Sequence, residues 1–167
     1  HPGGFRMPLP PTERIWPTAT GKAMFSVFKG VHENVVVEGE DVMRLVTLRS
    51  HDQYNTTIYA MDDRYRGVFG RRDVLFMNEQ DMAAQGLEHG DRVDIHTALP
   101  DSELTLEDIT VVAYGIAPGT VGAYYPEANV LVPLNYLDEE SGTPSYKSVP
   151  VRLTLRSKEI RLLADVR

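Results

Sequence analysis

A chain of 167 residues suffices for one domain with some residues over for arms or tails. Its 42% hydrophobic and 25% charged residues are those of an ordinary globular domain and exclude disorder, and no apolar run is long enough to span a bilayer. The net charge of −7 excludes a general nucleic-acid binder but not one phosphate-bearing ligand at a local basic site, and zero cysteines exclude disulfides, thiolate nucleophiles and iron–sulfur ligation within the chain.

The first residue is His1, not Met, and the start carries neither a basic nor an apolar leader, so the chain reads as a fragment of a longer protein. Pro2, Pro8, Pro10, Pro11 and Pro17 make the N-terminus extended and poor in core. Residues 1–40 are expected to form an N-terminal extended arm or interdomain connector, 41–157 the main domain and 158–167 a C-terminal tail. An acidic joint lies at Glu38 to Val42.

From Val42 onward the signals are those of strands. Val42 to Leu48 is apolar and β-branched enough for a buried strand, and Val74 to Met77 is a second apolar run. Asn78 is a good helix N-cap, with Asp81 placed to close a capping box and Gly86 as the left-handed stop. Gly90-Asp91 turns the chain into Val93, Ile95 and Thr97, which alternate with polar residues. Ile109, Val111 and Ala113 make another strand. Val149, Val151, Leu153 and Leu155 make the last, where Pro150 suggests an edge or a strand start. The expected fold is mainly β with short helices, a small closed barrel of mixed strands. There is no GxGxxG and no P-loop.

Four segments carry chemistry. Arg49 to Thr57 turns abruptly polar after a strong strand. Arg49 suits a phosphate, and Ser50, Asn55, Thr56 and Thr57 suit phosphate or heterocycle edges. A polar turn bonded only to itself is an equally good reading. Asp62 to Asp73 holds four arginines that could clamp a pyrophosphate or a partner, although the interleaved aspartates favour a mixed-sign exposed loop. Asn129 and Asn135 border an apolar stretch and could read a purine or pterin edge or, more simply, cap turns. Lys147 follows Tyr146 just before the last strand and could meet a phosphate. The five histidines are scattered, with no HExxH pair and no Ser–His–Asp spacing, so neither a catalytic residue nor a metal ligand is expected here.

Several motifs resemble a known family. Thr18-Ala19-Thr20-Gly21-Lys22-Ala23-Met24-Phe25 is similar to the T-P-S-G-K-x-x-F lead-in to the last domain of the molybdopterin oxidoreductases. Leu45 to Thr57 resembles that domain's first strand and cofactor loop. Asn78 to Ile95 resembles its helix–turn–strand, and Asn129-Val130-Leu131 and Pro144-Ser145-Tyr146-Lys147 resemble its closing motifs. The formate dehydrogenase H-like proteins are similar, and the FdhF/YdeP-type oxidoreductases are more similar still in Arg49 to Thr56 and in Asp63-Arg64-Tyr65-Arg66-Gly67; formate dehydrogenase itself has a His where Gln53 stands.

The resemblance implies a double-psi β-barrel (aspartate decarboxylase-like) that covers a bis-molybdopterin guanine dinucleotide at the C-terminal end of an oxidoreductase. Arg49, Ser50, His51, Gln53, Tyr54, Asn55, Thr56 and Thr57 would meet its pterin and phosphate parts, and Asn129, Asn135, Tyr146 and Lys147 would complete the site. The molybdenum or tungsten ligand and any iron–sulfur cluster would belong to upstream domains of the same parent enzyme. The chain would be cytoplasmic, without nucleic acid or membrane insertion, and inactive as a fragment. The alternative is a double-psi barrel used as an interaction module without a redox cofactor. A standalone decarboxylase would need a Gly-Ser turn, whereas Ser141-Gly142 has the reverse order.

Overall fold

The computed structural model describes residues 2–25, 27, 39–55, 57–138 and 141–157. The expected tail 158–167, Thr56 and part of the joint at Glu38 lie outside the described residues. The chain divides into two units, His1–Val36 and Val37–Arg167. Within the first, the described residues carry one short 3-10 turn, Pro10–Glu13, ended by Arg14 at φ 56°. In the lead-in motif, Thr18 Oγ1 donates to the Lys22 carbonyl at 2.8 Å and the backbone N–H of Gly21 donates to the Thr18 carbonyl at 3.0 Å, which closes a local turn.

The second unit is a closed barrel of six strands: β1 (Met43–Leu48), β2 (Val74–Met77), β3 (Arg92–Thr97), β4 (Thr105–Ala113), β5 (Thr120–Tyr124) and β6 (Val149–Ser157). Their order around the barrel is β1-β5-β2-β4-β3-β6. β1/β5 and β2/β4 are parallel, and the other four pairs are antiparallel. Exchange of β1, β2 and β3 with β4, β5 and β6 maps this pairing pattern onto itself. Two such interlocked three-strand units are the arrangement of a double-psi barrel, so the expected fold is the observed one.

Alternation sets what is inside. In β1, Met43, Leu45 and Thr47 are buried while Arg44, Val46 and Leu48 are half-buried; in β3, Val93, Ile95 and Thr97 face inward. Each apolar side chain of this interior contributes roughly 1.5–3 kcal/mol by leaving water. β2 is buried on both faces. Leu75 and Met77 join the barrel core, whereas Val74 and Phe76 pack with Tyr124 and Val68 in a second cluster. Val68 comes from a small hairpin, in which Asp62–Asp63 pairs with Val68–Phe69.

The helix α1 (Glu79–Ala84) begins at Asn78, whose side chain accepts from Gln80 N at 2.8 Å. The expected capping box does not close. Asp81 instead accepts the backbone N–H of Gly119 at 2.8 Å and ties the helix to the chain entering β5. Gly86, at φ 65°, ends the helix with Gly86 N to Ala83 O and Leu87 N to Met82 O, a Schellman pair. Pro150 marks a strand start, as expected, but not an edge, because β6 is paired on both sides. Among the described residues no helix is long and apolar enough to cross a membrane.

Candidate functional site

Two parallel strands end together. Leu48 of β1 is in register with Tyr124 of β5, and Tyr125 N donates to Leu48 O at 2.7 Å. The segment before β6 folds back over them, with Thr47 N donating to Tyr146 O at 3.1 Å. Between them lies a cavity of about 270 Å³, lined by Thr47, Leu48, Arg49, Tyr125, Tyr146 and Lys147. Arg49, Tyr146 and Lys147, from segments about a hundred residues apart, are thus brought together.

The cavity holds two cations and no lining carboxylate. None of the ion pairs among the described residues involves Arg49 or Lys147. Lys147 Nζ donates to the Thr47 carbonyl and lies 5.9 Å from the centre of the Tyr146 ring. Burial, and then the neighbouring Arg49 charge, hold the Lys147 pKa below the ordinary 10.5. The Tyr125 and Tyr146 rings stand 6.3 Å apart at 32°. This donor set fits an anionic, flat ligand: cations and hydroxyls for phosphate, rings for a heterocycle.

The polar loop after β1 is held from behind. Gln53 Oε1 accepts Ser50 N at 3.0 Å, and its Nε2 donates to Asn55 O at 2.9 Å and to Tyr125 O at 2.5 Å. Ser50 is buried and accepts Arg72 Nη1 at 2.6 Å. The amide of Gln53 is therefore occupied within the protein, and Ser50 faces inward. Asp52 and Asn55 adopt left-handed backbone, which bends the loop back on itself, with Tyr54 and Ile58 bridged. Tyr54, Asn55 and Thr57 are exposed.

The arginine-rich segment is not a free exposed loop. Arg72 and Asp63 are buried, and each of the four arginines meets a carboxylate: Arg64 with Asp52, Arg66 with Asp63, Arg71 with Asp73 and Arg72 with Glu127. Three of them also brace the loop. Arg66 donates to the Arg49 carbonyl at 3.1 Å, and Arg72 reaches Ser50 and Gln53. Arg64 Nη2 lies 2.7 Å from His51 Nε2, which also lies 3.2 Å from Asp52 Oδ1. The His51 ring meets Tyr65 edge-on at 4.1 Å.

Behind the loop, Tyr124 donates to Asp63 at 2.7 Å. Burial works against the Asp63 carboxylate, but Tyr124 and Arg66 outweigh it and hold its pKa below 3.8. Burial and Asp63 together push the Tyr124 hydroxyl up.

Asn129 is exposed within a 3-10 helix, Glu127–Leu131, and caps no turn; Asn135 is exposed in a turn further on. Neither lines the cavity. Tyr125 and Glu127 are site residues that the sequence reading passes over, and Arg72 is one that it weighs as a clamp but favours as part of an exposed loop. For Tyr125 a signal exists, an aromatic pair directly after an apolar strand. Among the described residues no group of His, Asp and Glu could hold a metal ion.

Residues 43–150 match the family model described as molydopterin dinucleotide binding domain. Protein YdeP of Escherichia coli (strain K12) is 44% identical over 156 residues, which cover 92% of this chain and 21% of that protein. The uncharacterized oxidoreductase Rv2900c of Mycobacterium tuberculosis (strain ATCC 25618 / H37Rv) is 48% identical over 158 residues, 91% of this chain and 20% of that protein. The chain spans roughly a fifth of the length of the curated relatives it matches. Among solved structures, acetylene hydratase from Pelobacter acetylenicus aligns with a TM-score of 0.47 at 17% identity, over 70% of this chain and 18% of that one.

Proposed function

Because this chain belongs to the molydopterin dinucleotide binding domain family, we propose that it holds a bis-molybdopterin guanine dinucleotide at the C-terminal end of a longer, formate dehydrogenase-like oxidoreductase. One relative of similar sequence bears the name oxidoreductase, and the relatives carry about four-fifths of their length outside the matched part. The interaction-module alternative is not favoured by a family defined by dinucleotide binding.

The observation that carries the reading is the cavity at the ends of β1 and β5, with its two cations, two tyrosine rings and no carboxylate. Arg49 and Lys147 bind phosphate oxygens, Tyr125 and Tyr146 flank a heterocycle, and Thr47 adds a hydroxyl. The exposed Tyr54, Asn55, Thr57, Asn129 and Asn135 are candidates for outer contacts, and Gln53 and Ser50 act by shaping the loop. When bound, the cofactor supplies the redox chemistry. Its molybdenum or tungsten, the metal ligand and any iron–sulfur cluster reside in the upstream domains, in keeping with the absence of cysteine here.

In the full-length protein, the double variant Arg49→Ala/Lys147→Met is expected to lower the pterin retained after gel filtration at least roughly tenfold, since each removed cation is worth about 1.5–3 kcal/mol. Pterin would be measured by fluorescence after acid oxidation. Retention at the wild-type level would sink the reading.

A further inference from the structure

Arg72, only 6% exposed, has its guanidinium shared among four residues. Nε donates to Glu127 Oε1 at 2.5 Å and Nη1 to the Ser50 hydroxyl at 2.6 Å. Nη2 reaches Gln53 Oε1 at 3.0 Å, the Tyr125 carbonyl at 2.8 Å and Glu127 Oε2 at 3.0 Å. Its guanidinium carbon lies over two rings, 4.1 Å from the centre of Tyr59 and 4.7 Å from that of Tyr124. We propose that Arg72 is a positioning residue of the dinucleotide site, fixing the loop after β1 and the chain after β5 so that Arg49 and Tyr125 face the cavity. This rests on the cofactor reading above.

Three features support it. The residues Arg72 grips are neighbours of cavity-lining ones: Ser50 follows Arg49, and the Tyr125 carbonyl belongs to a lining residue itself. Its acceptors lie outside the barrel strands, on the loop after β1 and the chain after β5. Glu127 neutralises the charge, so the guanidinium remains buried without adding a third cation to the site. A planar fork with five donors suits these acceptors beside two rings; a lysine ammonium has three donors and no plane.

The test uses the full-length protein with its cofactor, comparing Arg72→Lys and Arg72→Ala with Arg71→Met, a control whose side chain bonds to Asp73 and Thr110 on the barrel flank. Cofactor release after dilution, the absorption bands of the bound cofactor and the melting temperature are read together. Arg72→Lys is expected to release cofactor about tenfold faster with shifted bands. In Arg72→Ala, millimolar methylguanidinium is expected to slow release, and methylammonium is not. If the Arg72 variants do not fold, Ser50→Ala removes one anchor alone and is expected to speed release by a smaller factor. A lowered melting temperature with unchanged bands and release, or equal effects in Arg71→Met, would overturn the proposal, as would unchanged release in Ser50→Ala. If Arg49→Ala/Lys147→Met loses cofactor while the Arg72 variants keep it, this inference alone fails. If that double variant also keeps it, the cofactor reading fails first and takes this inference with it.

Discussion

The hydroxyl of Tyr124 donates to Asp63 Oδ2 at 2.7 Å, and both side chains are buried. Arg66 meets the same oxygen at 2.6 Å and also holds the Arg49 carbonyl. A strand end, the small hairpin and the polar loop after β1 are therefore tied through one carboxylate. Tyr124→Phe removes a hydrogen bond to a charged group and is expected to cost about 1.5–3 kcal/mol of stability. The cost is pH-dependent. Asp63 has its folded pKa held below the ordinary 3.8, so its contribution is fully present above that value and is lost as pH falls through the folded value. Without the Tyr124 hydroxyl the folded pKa rises. The gap in urea midpoint between wild type and variant should be widest at neutral pH and should narrow below 3.8. A gap independent of pH would show that the hydroxyl does not act through the Asp63 charge.

Gly122, in the middle of β5, is a close-approach glycine. A Cβ there would stand 2.7 Å from Leu48 Cδ1 and 3.4 Å from Ile116 Cδ1. Leu48 also lines the cavity, so its displacement reaches the site. Gly122→Ala is expected to cost about 1–3 kcal/mol through overpacking, read as a lower melting temperature, and to weaken cofactor retention as well. The companion Gly122→Ala/Leu48→Ala should recover part of the stability. Equal stability of single and double variants would exclude the Leu48 clash as the cause.

Asn78 uses both ends of its amide. The oxygen caps Gln80 N, and Nδ2 donates to Ile116 O at 2.8 Å. Asn78→Ala should destabilise by about 1–2 kcal/mol, and Asn78→Asp by less, because the cap survives and only the Ile116 bond is lost. Thermal unfolding of the pair distinguishes the two contributions; identical melting temperatures would mean that the cap contributes nothing.

Local features of the fold were readable because they have a local cause. The period-2 pattern in Val93, Ile95 and Thr97 reports which face is wet, and Asn78 and Gly86 bracket a helix by backbone chemistry alone. Strand order has no such mark. That β1 lies parallel to β5 depends on contacts more than seventy residues apart, and came only through family motifs. The capping box failed because Asp81 found a tertiary donor, Gly119 N, in place of its own helix. In the site, Arg49 and Lys147 stood out as cations beside strong strands. Arg72 did not, since segment 62–73 alternates in sign as exposed loops do. What buries it are acceptors 19 to 55 residues away, on Ser50, Gln53, Tyr125 and Glu127.

Lys147 joins the site's electrostatics to a measurable pH profile. Burial first, then the Arg49 charge, depress its folded pKa below 10.5, so the folded surroundings favour the ammonium less than water does. In the window between the folded and unfolded values the unfolded chain binds more protons, and the stability of the unliganded protein gains with rising pH from this residue. A phosphate-bearing ligand reverses the preference, because its anion favours the ammonium. Ligand retention is therefore strongest below the folded pKa and declines as pH rises through it, before an ordinary lysine would lose its charge. The two profiles run in opposite directions. Lys147→Arg keeps its charge across the whole range, so its decline should move to higher pH. Lys147→Met should retain less cofactor at neutral pH, with the decline abolished. Pterin retained by the full-length protein after gel filtration at stepped pH reads all three; a wild-type decline that persists in Lys147→Met would assign the titration to another group.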